Sequence, residues 1–236
     1  MSFLNAEWRR LAIANYEVDK NILTPYLPFK TELDLWNNTC YVSLVGFRFM
    51  NTKMLNMAIP FHRNFEEVNL RFYVRYKEKN IWKRGVVFIQ EIVPKPAITL
   101  VANTLYNEHY VTRKMKHHWE EKNGDLLTSY SWKETDQWQR FSVTSSTISE
   151  EIPKGSETEF ITEHYWGYSK QSALKTTEYQ VTHPRWEAYA VKDYNVEVDF
   201  GKVYGNDFQM LNNLPPKSVM LAEGSEITVE SKKTIR

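Results

Sequence analysis

Phe65-Glu66-Glu67-Val68-Asn69-Leu70-Arg71-Phe72-Tyr73-Val74-Arg75-Tyr76 alternates in a way that only a strand satisfies. Val68, Leu70, Phe72, Val74 and Tyr76 recur every second residue, the period of an extended chain with one buried face. The opposite face carries Glu67, Asn69, Arg71, Tyr73 and Arg75, a richer mixture of charge and aromatic surface than contact with water requires. Lys77-Glu78-Lys79-Asn80 then reads as a hairpin loop, and Val86-Val87-Phe88-Ile89 as a strand covered on both sides.

Working outward, residues 8–16 form a first strand, and Asp19 is an N-cap for a short helix that Pro25 and Pro28 limit to a turn or two. Residues 39–50 form a long strand with a bend at Gly46. Residues 51–64, with Met54, Leu55, Met57, Ile59 and Phe61, make an apolar loop that should cover a barrel mouth or a neighbouring subunit. A strand is expected over 97–106 after Pro94-Lys95-Pro96. Strands over 109–120 and 125–132 flank Asn123-Gly124, a strong hairpin signal. Another strand spans 138–146. Ser156-Glu157-Thr158-Glu159 has the form of a capping box for a helix over about 157–166. Strands over 178–182 and 187–191, a short helix over 206–211 and a last strand over 219–222 complete the pattern. With no linker and no repeat, residues 1–236 read as a single mainly β domain. The expected fold is a closed or nearly closed antiparallel β-barrel of about ten strands with two or three short helices.

Hydrophobic residues make up 42% of the 236-residue chain and aromatics 14%, enough for a sizeable core. A formal net charge of +1 gives no reason to expect nucleic acid or an anionic membrane as partner. The single cysteine, Cys40, excludes an internal disulfide and reads as an inert buried thiol. No signal-peptide core and no apolar run near 18 residues occurs, so the expected location is the cytoplasm. Glycine-rich phosphate loops and Gly-x-Ser-x-Gly elbows are absent. No metal-ligand spacing is found either, and His117 and His118 point to opposite faces of a strand. Neither a metal nor a cofactor is expected.

Several blocks in order resemble the YqjF-like family of uncharacterised bacterial proteins. They are residues 65–71, Tyr106-Asn107-Glu108-His109-Tyr110, Arg113-Lys114-Met115, residues 159–166 and His183-Pro184. The resemblance implies an acetoacetate decarboxylase-like barrel. The relative with known chemistry uses a lysine amine to form a Schiff base with a β-keto acid, which directs attention to the segment 106–116. Its adjacent Lys-Lys pair is missing here. Lys114 and Lys116 stand instead, two residues apart on one face of a strand with Cα atoms about 7 Å apart.

Arg71 and Glu91 are the leading ligand-binding candidates, provided the hairpin register turns both inward: a guanidinium grips a carboxylate bidentately with an acid nearby. The competing reading is a buried polar brace, with Glu67 as a possible partner. Tyr106, Glu108, His109 and Tyr110 come next, as proton carriers and hydroxyls at a strand end. Alternation puts Tyr106, Glu108 and Tyr110 on one face and His109 with Asn107 on the other. His164 and Tyr165 read as packing residues on the capped helix, and His183 as a turn residue.

Three functions remain open. One is a barrel binding a small carboxylate or carbonyl compound. Another is a Schiff-base enzyme of decarboxylase or aldolase type, with Lys114 or Lys116 as amine and Glu91 or Glu108 as proton carrier. The third is a non-catalytic protein that forms a homo-oligomer through residues 51–64. The first is preferred.

Overall fold

A computed structural model describes residues 2–236. The chain opens with β1 (Ser2–Glu17), longer at both ends than its apolar segment. Asp19 caps α1 (Lys20–Leu23) by accepting a hydrogen bond from the Asn21 amide at 2.8 Å. After β2 (Thr31–Leu33), β3 (Tyr41–Met54) and β4 (Met57–Ala58) comes the hairpin of β5 (Phe65–Glu78) and β6 (Ile81–Val93). Its turn is only Lys79 and Asn80, with φ of 47° and 66°, the left-handed pair that matches the twist of two paired strands.

The strand expected over 97–106 is a helix, α2 (Pro96–Tyr106). Pro96 occupies the first turn, where its missing N–H costs nothing, and Asn107 ends the helix in the left-handed region at φ 58°. Ile98, Val101 and Ala102 point the same way at helical spacing, so the apolar content of this segment follows a period near 3.6 and not 2. The expected strand over 109–120 is accordingly divided into β7 (Tyr110–Thr112) and β8 (Met115–Lys122). β9 (Asp125–Glu134) and β10 (Gln137–Glu151) follow, with Asn123-Gly124 forming the expected turn between β8 and β9.

Ser156 caps α3 (Glu157–Thr162), accepting from the Glu159 amide at 3.1 Å, while the Glu159 carboxylate reaches back to the Gly155 amide. The helix ends before His164 and Tyr165, because β11 (Trp166–Ser172), a strand unforeseen in the sequence, begins directly after them. β12 (Lys175–Thr182), β13 (Glu187–Glu197), α4 (Phe200–Tyr204), a 3-10 turn at Asn206–Asn213, β14 (Ser218–Glu230) and β15 (Lys233–Ile235) finish the chain.

All the strands join one mixed sheet, not a ten-stranded antiparallel barrel. The path β12-β11-β6-β5-β3-β1-β14 returns on itself where Val181 and Thr182 of β12 pair with Val229 and Thr228 of β14. Two neighbours of β6 lie parallel to it, β11 and β7, because each reaches it after a helix rather than a tight turn. From β14 the sheet continues through β13, β10, β9 and β8, which fold back over the outside of the ring.

Two cores result. Val68, Leu70, Phe72 and Val74 of β5 pack outward with Tyr130, Trp132 and Phe141 of the overlying strands. Tyr73 packs inward with Ile13, Val45, Phe47, Val86 and Phe160. β5 is therefore buried on both faces, which explains its decorated second face. Cys40 is buried, and burial raises its thiol to a pKa of about 11, as an inert thiol requires. Among the described residues no helix is long and apolar enough to cross a membrane.

Candidate functional site

The inward face of β5 carries Glu67, Asn69 and Arg71 at alternate positions, all buried. Across the hairpin Asn69 stands opposite Glu91, and Glu91 in turn stands beside Tyr110 of β7. This row depends on a bulge. Leu70 pairs with Gln90 but Arg71 pairs with Phe88, so Ile89 is an extra residue in β6. Phe88 and Glu91 both face the lumen although three residues apart, while Gln90 turns away to donate to the Val203 carbonyl at 3.1 Å. Strict alternation from Phe88 would have put Glu91 outside. The register that the sequence left open is settled by this one inserted residue.

Beyond Asn107 the chain alternates as expected. Tyr106, Glu108 and Tyr110 face the lumen, and His109 is exposed with Asn107. Tyr106 does so from a helix end, packed edge-on to Tyr179 at 5.1 Å. The Tyr179 hydroxyl donates to Glu108 Oε1 at 2.8 Å. Its ring lies directly over Gly167 of β11, where a Cβ would come within 2.1 Å of it; any side chain at 167 would expel the tyrosine. The result is a cavity of about 240 Å³ with Trp8, Phe47, Phe49, Phe88 and α2 as apolar walls. Thr52 and Met54 also line it, but from β3, which runs on with β4 into the loop expected over 51–64; of the loop beyond β4, Ile59 and His62 reach the lining.

The polar side of the cavity is incompletely partnered. Glu67 accepts from Asn69 Nδ2 at 3.0 Å and from the Tyr110 hydroxyl at 3.1 Å. Asn69 Oδ1, Arg71 Nε, Glu91 Oε2, Glu108 Oε2 and His164 Nδ1 are buried without any hydrogen-bond partner. Such groups ordinarily have one. Arg71 does not form the brace with Glu91 or Glu67 that was the competing reading: no ion pair links them among the described residues, and its guanidinium lies 5.7 Å from the Tyr73 ring.

Burial raises all three glutamates above the ordinary carboxylate range. Glu67 is raised least, because bonds from Asn69 and Tyr110 and the charge of Arg71 favour its ionised form. Glu91 is pushed well up, by burial and then by the neighbouring charges of Glu108 and Glu67. For Glu108, burial and the Glu67 charge outweigh the Tyr179 bond and bring it to about 8. Tyr110 and Tyr179 are held protonated by burial and these carboxylates.

His164 forms a second group on the same wall. Its Nε2 lies 3.1 Å from Asp34 Oδ2, which also accepts from Arg84 Nε at 2.6 Å. An ionised carboxylate only accepts, so Nε2 carries the proton and Nδ1 is left as an acceptor. Burial, aided by Arg84 and Arg71, lowers the imidazole to about 4 against the pull of Asp34. On sequence alone His164 reads as a packing residue of the capped helix; the structure makes it a hydrogen-bonded group on the cavity wall. Asp34, 130 residues from His164 in the chain, meets it only in the folded ring, and no local signal in the sequence marks it or Tyr179.

Two expectations need correction. Lys114 and Lys116 are exposed and line no part of the cavity; the Lys116 ammonium lies 4.4 Å from the Trp138 ring. The chain leaves the barrel at Arg113, which is fixed to Glu134 at 2.8 Å, so residues 114–116 pass to the outer sheet. No lysine is found among the cavity-lining residues. His109 likewise faces outward and cannot meet a ligand in the lumen. No group of three or more His, Cys, Asp or Glu among the described residues is arranged to hold a metal ion.

Residues 5–226 match the family model DUF2071, described as an uncharacterized conserved protein. The chain belongs to this family. It is 32% identical over 143 residues to the uncharacterized protein YqjF of Bacillus subtilis (strain 168). That match covers 60% of the chain but 56% of YqjF, so it spans little more than half of that relative.

Solved structures share the fold at low identity. Acetoacetate decarboxylase from Legionella pneumophila superposes with a TM-score of 0.67 at 14% identity, covering 98% of this chain and 87% of that one. An acetoacetate decarboxylase-like enzyme from Sphingomonas wittichii RW1 gives 0.67 at 9% identity, covering 100% and 94%. The enduracididine biosynthesis enzyme MppR complexed with pyruvate gives 0.68 at 10%, covering 100% and 91%. The architecture implied by the family resemblance is thus present, as a large mixed sheet.

The raised carboxyls have a consequence for stability. A group whose pKa is higher in the folded than in the unfolded chain binds more protons when folded, so stability falls as pH rises between the two values. For Glu108 that window runs from about 4.5 to about 8. The variant Glu108→Gln should be more stable than wild type at pH 8 by about 2–4 kcal/mol, with the difference vanishing near pH 5. Urea unfolding across this range measures it, and equal stability at pH 8 would show that Glu108 ionises freely.

Proposed function

We propose that the protein binds a small carboxylate that also carries a carbonyl group, inside the barrel lumen. The observation that carries this reading is Arg71, a guanidinium 8% exposed, on the wall of an apolar cavity and without an ion-pair partner among the described residues. A buried cation is costly unless paired, and a ligand carboxylate is the charge-assisted, bidentate partner whose geometry matches it. Glu91 and Glu108, protonated by burial, are hydrogen-bond donors for a second oxygen. The pyruvate complex of MppR, a protein of the same architecture, supports this ligand class. A Schiff-base reaction is disfavoured, because the cavity lining offers no amine.

Calorimetry and native mass spectrometry with pyruvate and 2-oxopentanoate test the reading. The variant Arg71→Ala should weaken binding about 10- to 100-fold, the worth of a charge-assisted pair. Unchanged affinity in that variant would overturn Arg71 as the anchor.

A second feature favours self-association through residues 51–64. Leu55, Met57 and Phe61 are exposed beside the cavity mouth, Phe61 by 89%, and Phe61 is held at φ 63°, where bulky residues are rare. We propose that a second copy covers this streak. Light scattering should give a dimer or larger species that dissociates in Phe61→Ser; a wild-type monomer at high concentration would sink the idea.

A further inference from the structure

We propose that the lumen catalyses keto–enol interconversion of its bound 2-oxo acid, with Glu67 as the base and Glu91 as the acid. The inference rests on the binding reading above and adds a reaction to it.

Glu67 and Glu91 share the inward wall, on adjacent strands, with Asn69 directly between them in the register: two residues from Glu67 along β5 and opposite Glu91 across the hairpin. Asn69 Nδ2 and the Tyr110 hydroxyl both donate to Glu67, and Arg71 stands two residues further along the same face; they offset part of the burial that raises its carboxyl to about 7, so near neutral pH an ionised fraction is available as base. Glu91 has no cation beside it. It faces the charges of Glu108 and Glu67, and its Oε2 is buried without a donor, an arrangement that a protonated carboxyl relieves. Two like groups with unequal sets of donors and neighbouring charges are the usual form of an acid–base pair.

Arg71 orients the substrate by its carboxylate and leaves the carbonyl and the next carbon toward these two glutamates. Glu67 takes a proton from that carbon, and the C–H pair becomes the C=C bond of the enol. The carbonyl π pair moves to oxygen, which receives the Glu91 proton. Glu67 is then protonated and Glu91 ionised. Tyr110 stands between them, donating to Glu67 Oε2 at 3.1 Å and packed against the Glu91 carboxyl, so its hydroxyl can pass the proton back without any other reactant. The reaction is redox-neutral and needs neither an amine nor a metal.

The test is solvent exchange of the pyruvate methyl protons in D2O, followed by proton NMR with the full chain at saturating pyruvate. Exchange should exceed the buffer rate, and Glu67→Gln and Glu91→Gln should each lower it about 100-fold or more, the usual worth of one acid–base group. Calorimetry on the wild-type protein separates the two claims. Pyruvate that binds but exchanges no faster than in buffer overturns the reaction and leaves the binding reading intact. Pyruvate that does not bind overturns both. Should one variant fail to fold, the other and the wild-type rate still decide, and wild-type exchange in either folded variant removes that residue from the mechanism.

Discussion

Three carboxyl groups shut inside an apolar barrel cannot all carry charge, and the arrangement of the lumen follows from that constraint. Ionising a carboxylate out of water costs several kcal/mol unless a cation or several donors meet it. Glu67 is met by Asn69, Tyr110 and the field of Arg71, whereas Glu91 and Glu108 are not met in the same way and hold protons instead. The two tyrosines lie among these acids because a hydroxyl can donate to a carboxylate while its own burial keeps it protonated. Arg71 forms an ion pair with none of them among the described residues, and the proposed carboxylate ligand would supply that contact.

The fold supplies this environment by burying β5 twice. Its outward residues meet the β8–β10 layer, and its inward residues line the cavity, so the strand is fixed from both sides and cannot relax to expose Arg71 or Glu67. The bulge at Ile89 and the bare backbone of Gly167 are small adjustments to this frame with large effects. One brings Glu91 to the inner face; the other lets Tyr179 reach Glu108.

Much of this frame was legible in the chain. The period-2 pattern of Val68 to Tyr76, the Asn-Gly turn at 123–124, the Asp19 cap and the Ser156 capping box are local signals, and the structure bears them out. The family resemblance implied the architecture, and alternation correctly placed Tyr106, Glu108 and Tyr110 opposite His109. What the sequence hid was non-local or depended on a single residue. The helical period of residues 97–106 was masked by threonine and branched side chains. An extra residue in β6 leaves no mark in a hydrophobic run, and the ring closure that brings Asp34 to His164 and Tyr179 to Glu108 joins segments far apart in sequence. Lys114 and Lys116 looked like candidates only because the exit of the chain from the barrel at Arg113 was not readable.

The most direct measurement is a pH titration of the glutamate side-chain carbons by carbon-13 NMR, with Glu67→Gln, Glu91→Gln and Glu108→Gln variants used for assignment. Neutral carboxyls at Glu91 and Glu108 at pH 6.5, with Glu67 the first of the three to ionise, would be the signature of a lumen that sorts its acids by their neighbours. Three carboxyls all ionising near 4.5 would mean that water reaches them freely, and the account of the site would fail.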